Sequence, residues 1–198
     1  MNAKLMINNY EITLGHKGLE EIAFWLEDAP ENSDIFHELA KSESSALLVN
    51  LVDKEHLARL TVRMLIEDSS LEVMRAVIDS RHARKHMTRR DMEAYLATGD
   101  CELLSTMARD LEYFTEVYEV CEKDWLCEKL AGQKDPGVRF ALAENTDTPV
   151  QVLEDLTEDD DPDVARQAEK TLAEIREAEE DEDEEDDEDE DEDDDIPL

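Results

Sequence analysis

The chain is short of residues that break or staple a fold. Glycine and proline together supply ten of its 198 residues, and aromatics 5%. That excludes a collagen-like repeat and argues against a sandwich of short strands joined by Gly/Pro turns. The three cysteines, Cys101, Cys121 and Cys127, are odd in number and form no CxxC pair. They cannot build a disulfide scaffold, and a reduced, cytoplasmic setting fits them best. No apolar run approaches the ~20 residues that span a bilayer. The opening MNAKLMINNYEITLGHKG has no long apolar stretch behind its early lysine, so no signal peptide is expected. Positive charge is scarce as well. There are 20 Lys/Arg against 56 Asp/Glu, for a net charge of −36. Residues 179–195 are unbroken Asp/Glu and hold 17 of those acids, yet the remainder still carries 39 against 20. A field of that sign repels nucleic acid and anionic membrane and favours basic partners or cations.

What the chain does have is helical period. Apolar stripes run through Leu19, Ile22, Ala23 and Leu26, then Leu47, Leu48, Leu51 and Val52, then Leu57, Leu60, Met64 and Leu65. Others follow at Leu71, Met74, Val77 and Ile78, and at Met92, Tyr95 and Leu96. Helix punctuation separates them. Asp135-Pro136-x-Val138 recurs as Asp161-Pro162-x-Val164, each reading as an Asp N-cap followed by proline at the first helical position. Thr148-Pro149-x-Gln151 and Ser69-x-x-Glu72 read as capping boxes, and Thr88-x-x-Asp91 as an acidic version. Gly99 and Gly132 are placed to end helices.

The starts repeat. KDPGVRFALAEN (134–145) aligns with DDPDVARQAEKT (160–171) and with GDCELLSTMARD (99–110), and EDSSLEVMRAV and SESSALLVNLV read as further copies. Starts near 44, 68, 100, 135 and 161 describe helix pairs of irregular period. A single pair cannot bury its apolar stripe, whereas a stack can. The expected fold is all-α, an α-solenoid of about five helix pairs over residues 17–176. Residues 1–16 precede it as an N-terminal arm, in which INNYEITL is a strand or an extended segment. GLEEIAFWLEDAP, a helix ending at Pro30, and a second helix from Ser33-Asp34 form a capping pair. Residues 177–198 follow as a disordered acidic tail, extended by self-repulsion.

Residues 138–161 resemble a known family. Val138-Arg139-x-x-Leu142-Ala143-x-Asn145-x-x-Thr148-Pro149-x-x-x-Leu153-x-x-Leu156-x-x-Asp159-x-Asp161 is similar to the leucine-rich repeat variant, the bacterial VRxxVAxNPxTPxxxLxxLAxDxD pattern. Leu142, Thr146 and Thr157 depart from it, and Thr146 leaves the turn between the two helices less fixed. The resemblance implies a HEAT-like superhelix of short helices with a binding role. It carries no catalytic residues to transfer, and nothing here matches the clustered cysteines of the iron–sulfur relative.

Two stretches stand apart from the repeat. SRHARKHMTRR holds Arg81, Arg84, Lys85, Arg89 and Arg90, with His82 and His86, in an otherwise acidic body. It reads as a solvated turn answering the dipole of the preceding helix, as a docking site for an acidic group (a partner's or the chain's own tail), or as a phosphate or nucleic-acid contact. His82 and His86 have the i, i+4 spacing of two metal ligands, but the crowding cations oppose a divalent ion. The acidic tail, with Glu179, Asp181, Asp183, Asp187, Asp189, Asp191 and Asp195 as its representative charges, reads as a solubilising spacer or an electrostatic hold on a basic protein. It also reads as a nucleic-acid mimic or a lid over residues 81–90. Trp25 and Trp125 are taken as packing residues rather than base-stacking platforms. Cys121 and Cys127 lie roughly 240° apart around a helix and so do not share a face. No nucleophile motif, P-loop or GxGxxG occurs, and no enzyme activity, cofactor or metal is expected. The expected function is a scaffold binding a protein partner, most simply a basic one. The alternative is a nucleic-acid-directed protein acting through the tail or through residues 81–90.

Overall fold

The structure, a computed structural model, describes residues 3–7, 10–112 and 123–189. It opens with a hairpin of β1 (Ala3–Ile7) and β2 (Tyr10–Leu14), antiparallel, with Ala3 opposite Leu14, Leu5 opposite Ile12 and Ile7 opposite Tyr10. Lys4 pairs with Glu11 at 2.6 Å across it. Helices follow: α1 (His16–Trp25), a 3-10 turn (Pro30–Asn32), α2 (Ser33–Leu39), α3 (Ser45–Val52), α4 (Arg59–Ile66), α5 (Leu71–Asp79), α6 (Arg81–Arg84) and α7 (Arg89–Leu96). Next come α8 (Cys101–Arg109), α9 (Lys123–Ala131), α10 (Pro136–Glu144), α11 (Val150–Leu156) and α12 (Pro162–Asp189). The fold is mostly helical, as expected.

The helices pack in alternation. In one layer α1, α3, α5, α8, α10 and α12 each lie against the one before. In a second layer α2, α4, α7, α9 and α11 each lie against the following member of the first. Helices of seven to nine residues are too short to stand alone in water, so burial between layers holds them. A single apolar cluster runs from Leu19 in α1 to Ala168 in α12.

Local capping explains where the first-layer helices start. Asp135 accepts from the Gly137 N–H at 2.8 Å, and Asp161 from the Asp163 N–H at 2.9 Å. Both DP-x-V stretches therefore make the same bond, and proline spends no N–H at a position that would lack a partner. Ser44 and Asp100 cap through Leu47 and Leu103. Thr88 and Asp91 complete a capping box on α7. Gly99 ends the turn after α7 at φ +64, a left-handed conformation that glycine adopts without strain.

Several expectations are corrected. Thr148 does not cap α11; its hydroxyl turns back and donates to the Leu142 carbonyl at 2.7 Å, and α11 starts behind Pro149. The Ser69 box is absent too: Ser70 is the N-cap, its N–H donates to Asp68 at 2.8 Å, and Glu72 instead accepts from Ser45 of the previous pair. In α4 the buried stripe is Thr61, Val62, Leu65 and Ile66, and Leu60 is 64% exposed. The polar Thr61, whose hydroxyl meets His37 Nδ1 at 2.9 Å, hides that stripe from a hydrophobicity pattern. Trp25 is 78% exposed and is not a packing residue. Apart from these corrections, the described backbone of α12 is helical from Pro162 to Asp189. Its first turns are docked on α10 and α11, so the helix is already nucleated, and each added residue needs only propagation.

Candidate functional site

The basic stretch 81–90 is divided by its own fold. The helix α5 ends at Asp79, and Ser80 turns the chain: its hydroxyl donates to the Val52 carbonyl at 3.2 Å and accepts from the Ala83 N–H at 3.3 Å. That starts the four-residue α6 and drives Arg84 inward, to 5% exposure. There its guanidinium donates to Asp110 at 2.7 Å, at the end of α8. Arg89 begins α7, bonds Glu93 at 3.4 Å, and stacks over the Trp125 ring of α9 at 4.3 Å. Lys85 and Arg90 are exposed, as is the engaged Arg81. Of the five cations, Arg84 is turned inward and Arg89 is held by Glu93 and Trp125, while Arg81, Lys85 and Arg90 remain on the surface.

Beneath them lies a network absent from the sequence reading. Arg63 of α4 donates to both oxygens of Asp91 at 2.7 and 3.1 Å, to the His86 carbonyl at 3.1 Å, and to Glu67 at 2.7 Å. Asp91 also accepts from the Thr88 N–H at 2.6 Å and hydroxyl at 2.7 Å. Burial works to raise the Asp91 carboxyl, but the bonds from Arg63 and Thr88 outweigh it and hold the group below the usual carboxylate range. The rings of His82 and His86 meet edge to face with centroids 5.5 Å apart. Burial, then the charges of His82, Arg59, Lys85 and Arg63, lower the His86 pKa, so His86 is neutral at physiological pH. Among the described residues no three His, Cys, Asp or Glu are grouped to hold a metal ion.

The same pattern recurs along the stack. Arg75 clamps the N-cap Asp100 through two bonds at 3.1 and 2.7 Å and also meets Glu102. Arg139 clamps Asp159 at 2.7 and 2.9 Å and donates to the Gln133 and Lys134 carbonyls. With Arg63 and Arg84, these are four arginines, each bound to a carboxylate 20 to 28 residues later. A comparison of charges at the repeat offset could have found them; no local signal does. Other side chains reach back to carbonyls of earlier helices. Tyr95 donates to the Ile66 carbonyl at 3.0 Å, and Lys54 to the Leu26 carbonyl at 3.0 Å. Asn145 donates to the Ala108 and Arg109 carbonyls at 2.8 and 3.0 Å. So Arg139, Asn145, Thr148, Asp159 and Asp161, the polar residues that carry the family resemblance, are all spent on structure.

Two surface grooves open along one edge of the stack, where second-layer helices turn into first-layer ones. One, of about 630 Å³, lies between the Gly99 turn and the Gly132–Pro136 turn. The other, of about 490 Å³, runs between the Ile66–Ser69 turn and α7, with Arg63, Arg90, Asp91 and Tyr95 on its walls. Of the tail positions, Glu179, Asp181, Asp183, Asp187 and Asp189 fall in the helical backbone of α12, whereas Asp191 and Asp195 lie outside the described residues. Cys101 is exposed, Cys127 is buried, and Cys121 lies outside the described residues. No described helix is long and apolar enough to cross a membrane. No family model, curated protein or solved structure matches the chain.

Proposed function

We propose that the chain is a non-enzymatic docking scaffold, an α-solenoid of stacked helix pairs that holds a basic protein partner. Its HEAT-like stack closes in a repeat resembling the leucine-rich repeat variant. The observation that carries this reading is the fate of the cations. Arg63, Arg75, Arg84 and Arg139 are consumed between successive helices. Each of these pairs also uses one carboxylate, so the acidic surplus behind the −36 charge is left without cations from them. Such a surplus attracts a basic protein from a distance and accelerates encounter at low salt.

The test is truncation after Glu177, followed by association kinetics of the basic partner across a salt series. The full chain should bind with a rate that falls steeply as salt rises, and the truncated chain with a lower rate and a shallower dependence. Unchanged rates and unchanged dependence would defeat the electrostatic reading. The nucleic-acid-directed alternative keeps one support, an acidic run whose backbone is helical as far as Asp189. Its phosphate-binding form is tested by Lys85→Glu with Arg90→Glu, which leave the buried Arg84 intact. Loss of binding to single-stranded DNA in that variant would favour it.

A further inference from the structure

We infer that the N-terminal end of the stack is a self-association surface, seated against a second copy of this chain. The terminal helix of a stacked array ordinarily turns a polar face to water. At the far end α12 does so, with Asp163, Arg166, Glu169 and Lys170 exposed. At the near end the outer face of α1 is mixed, with two large aromatics exposed beside Lys17 and Glu21. Leu19 and Ala23 face the core, and the opposite face presents Phe24, 59% exposed, and Trp25. Their rings sit edge to face, 5.0 Å between centroids, as one apolar knob. The hairpin joins the same end. Tyr10 is 77% exposed, and Ile12 is exposed beside it. Leu14 of β2 comes within reach of Gly18 on α1, and Gly18 and Trp25, seven residues apart, share one stripe of that helix. A two-stranded sheet is marginal alone in water and leaves both of its edges unpaired.

Charge and area select the occupant. Residues 1–25 carry two lysines against three glutamates, close to neutral in a chain of −36. A basic partner finds little to read there. Two copies meeting at this end bring together the nearly neutral segments and leave α12, the helix that runs into the acidic run, at the other end of each copy. Tyr10, Phe24 and Trp25 each cover ~150–250 Å² when buried. From two copies that is on the order of 1,000 Å², and Ile12 and the strand edges bring it near the ~1,200 Å² at which stable interfaces begin.

Light scattering and sedimentation of the full chain test this at concentrations up to ~100 µM, where weak association is populated. The expected mass is twice the 22.7 kDa chain, and the association should strengthen as salt screens the repulsion of two acidic bodies. Tyr10→Ser, Ile12→Ser and Trp25→Ser together should return the single-chain mass with unchanged circular dichroism. Leu60→Ser and Val150→Ser, at isolated exposed positions elsewhere, should leave the dimer intact. In a Trp125→Phe background the Trp25 emission should shift to the blue with concentration. A single-chain mass at every salt and concentration, or a dimer that survives the triple substitution, overturns the inference. Salt weakens capture of a basic partner and strengthens self-association, so failure of either leaves the other standing.

Discussion

Arg84 decides whether the basic stretch is surface or structure. A solvated turn would lose nothing when one of its cations is removed. The structure predicts otherwise. Exposed ion pairs contribute at most ~1 kcal/mol, and breaking a buried pair by deleting one partner costs ~3–5 kcal/mol. The Arg84 side chain is 7% exposed and Asp110 37%, so Arg84→Met, which keeps the apolar stem, should cost about 2–3 kcal/mol at pH 7. In a chain of this size that is roughly 5–10 °C of melting temperature. Lys85→Met, at the neighbouring exposed position, should stay within about 0.5 kcal/mol of the parent.

The loss should also depend on pH. The Asp79 carboxyl is raised by partial burial and by the charge of Asp110, while the Arg84 charge pulls it down. Without Arg84 the folded-state pKa of Asp79 rises further above its unfolded value near ~3.9. A carboxyl raised on folding opposes folding when ionised, so the penalty grows as pH rises from about 4 through the folded value and is absent below it. Urea unfolding of parent and Arg84→Met should therefore differ more at pH 7 than at about pH 4. A variant within about 0.5 kcal/mol of the parent at pH 7, or a difference independent of pH, would refute the assignment of Arg84 to the interior.

Three further outcomes test the stacking contacts. Asn145→Asp keeps the acceptor used by the Asp147 N–H but loses both donors to α8; it should cost about 1–3 kcal/mol in urea unfolding. Asp159 is held below the usual carboxylate range by the Arg139 hydrogen bonds, against the opposing effect of burial and with help from the Asp161 N–H. A carboxyl lowered on folding stabilises above its unfolded value and loses that contribution as pH falls through the folded one, so Asp159→Asn should reduce neutral stability and flatten its acid dependence in melts from pH 7 downward. Gly99→Ala should cost about 1 kcal/mol from its positive φ, because no atom lies within 4 Å of the new methyl. Gly132→Ala, whose methyl meets the Glu128 carbonyl at an ordinary 3.4 Å, is its control.

Contacts between near neighbours in sequence were the legible part. An aspartate before proline bonds an N–H two residues on, and the helix starts read from that punctuation agree with Ser44, Asp100, Asp135 and Asp161. The start near 68 lies at Ser70, whose N–H donates to Asp68 two residues ahead, while Glu72 is engaged by Ser45 and not by Ser69. What escaped was non-local. Thr148 has the residue type of a cap, but its hydroxyl reaches a carbonyl behind it. Thr61 is polar and fully buried, so the buried face of α4 is offset from the expected stripe: Leu65 is in the core and Leu57 and Met64 pack against it, but Leu60 is exposed. The five cations of residues 81–90 look alike in sequence; which of them enters the protein depends on Asp110 and Trp125, supplied by later helices.

The irregular period has the same physical root. Helix starts at Ser44, Ser70, Asp100, Asp135 and Asp161 are unequally spaced, yet α8 packs on α10 as directly as α3 packs on α5. Asn145 reaches carbonyls 36 and 37 residues back to make its link, whereas Tyr95 needs 29 and Ser80 needs 28. The first layer is therefore continuous from α8 to α10. Unequal spacing of the starts costs little, because doubling the length of a connection adds only ~0.6 kcal/mol. The constraint on this chain is not the number of residues per repeat. It is that one donor or guanidinium must arrive at the carbonyl or carboxylate of the adjacent helix pair. Asn145→Asp, which removes two such donor links, should therefore cost more than Tyr95→Phe, which removes one; equal losses in urea unfolding would place the constraint elsewhere.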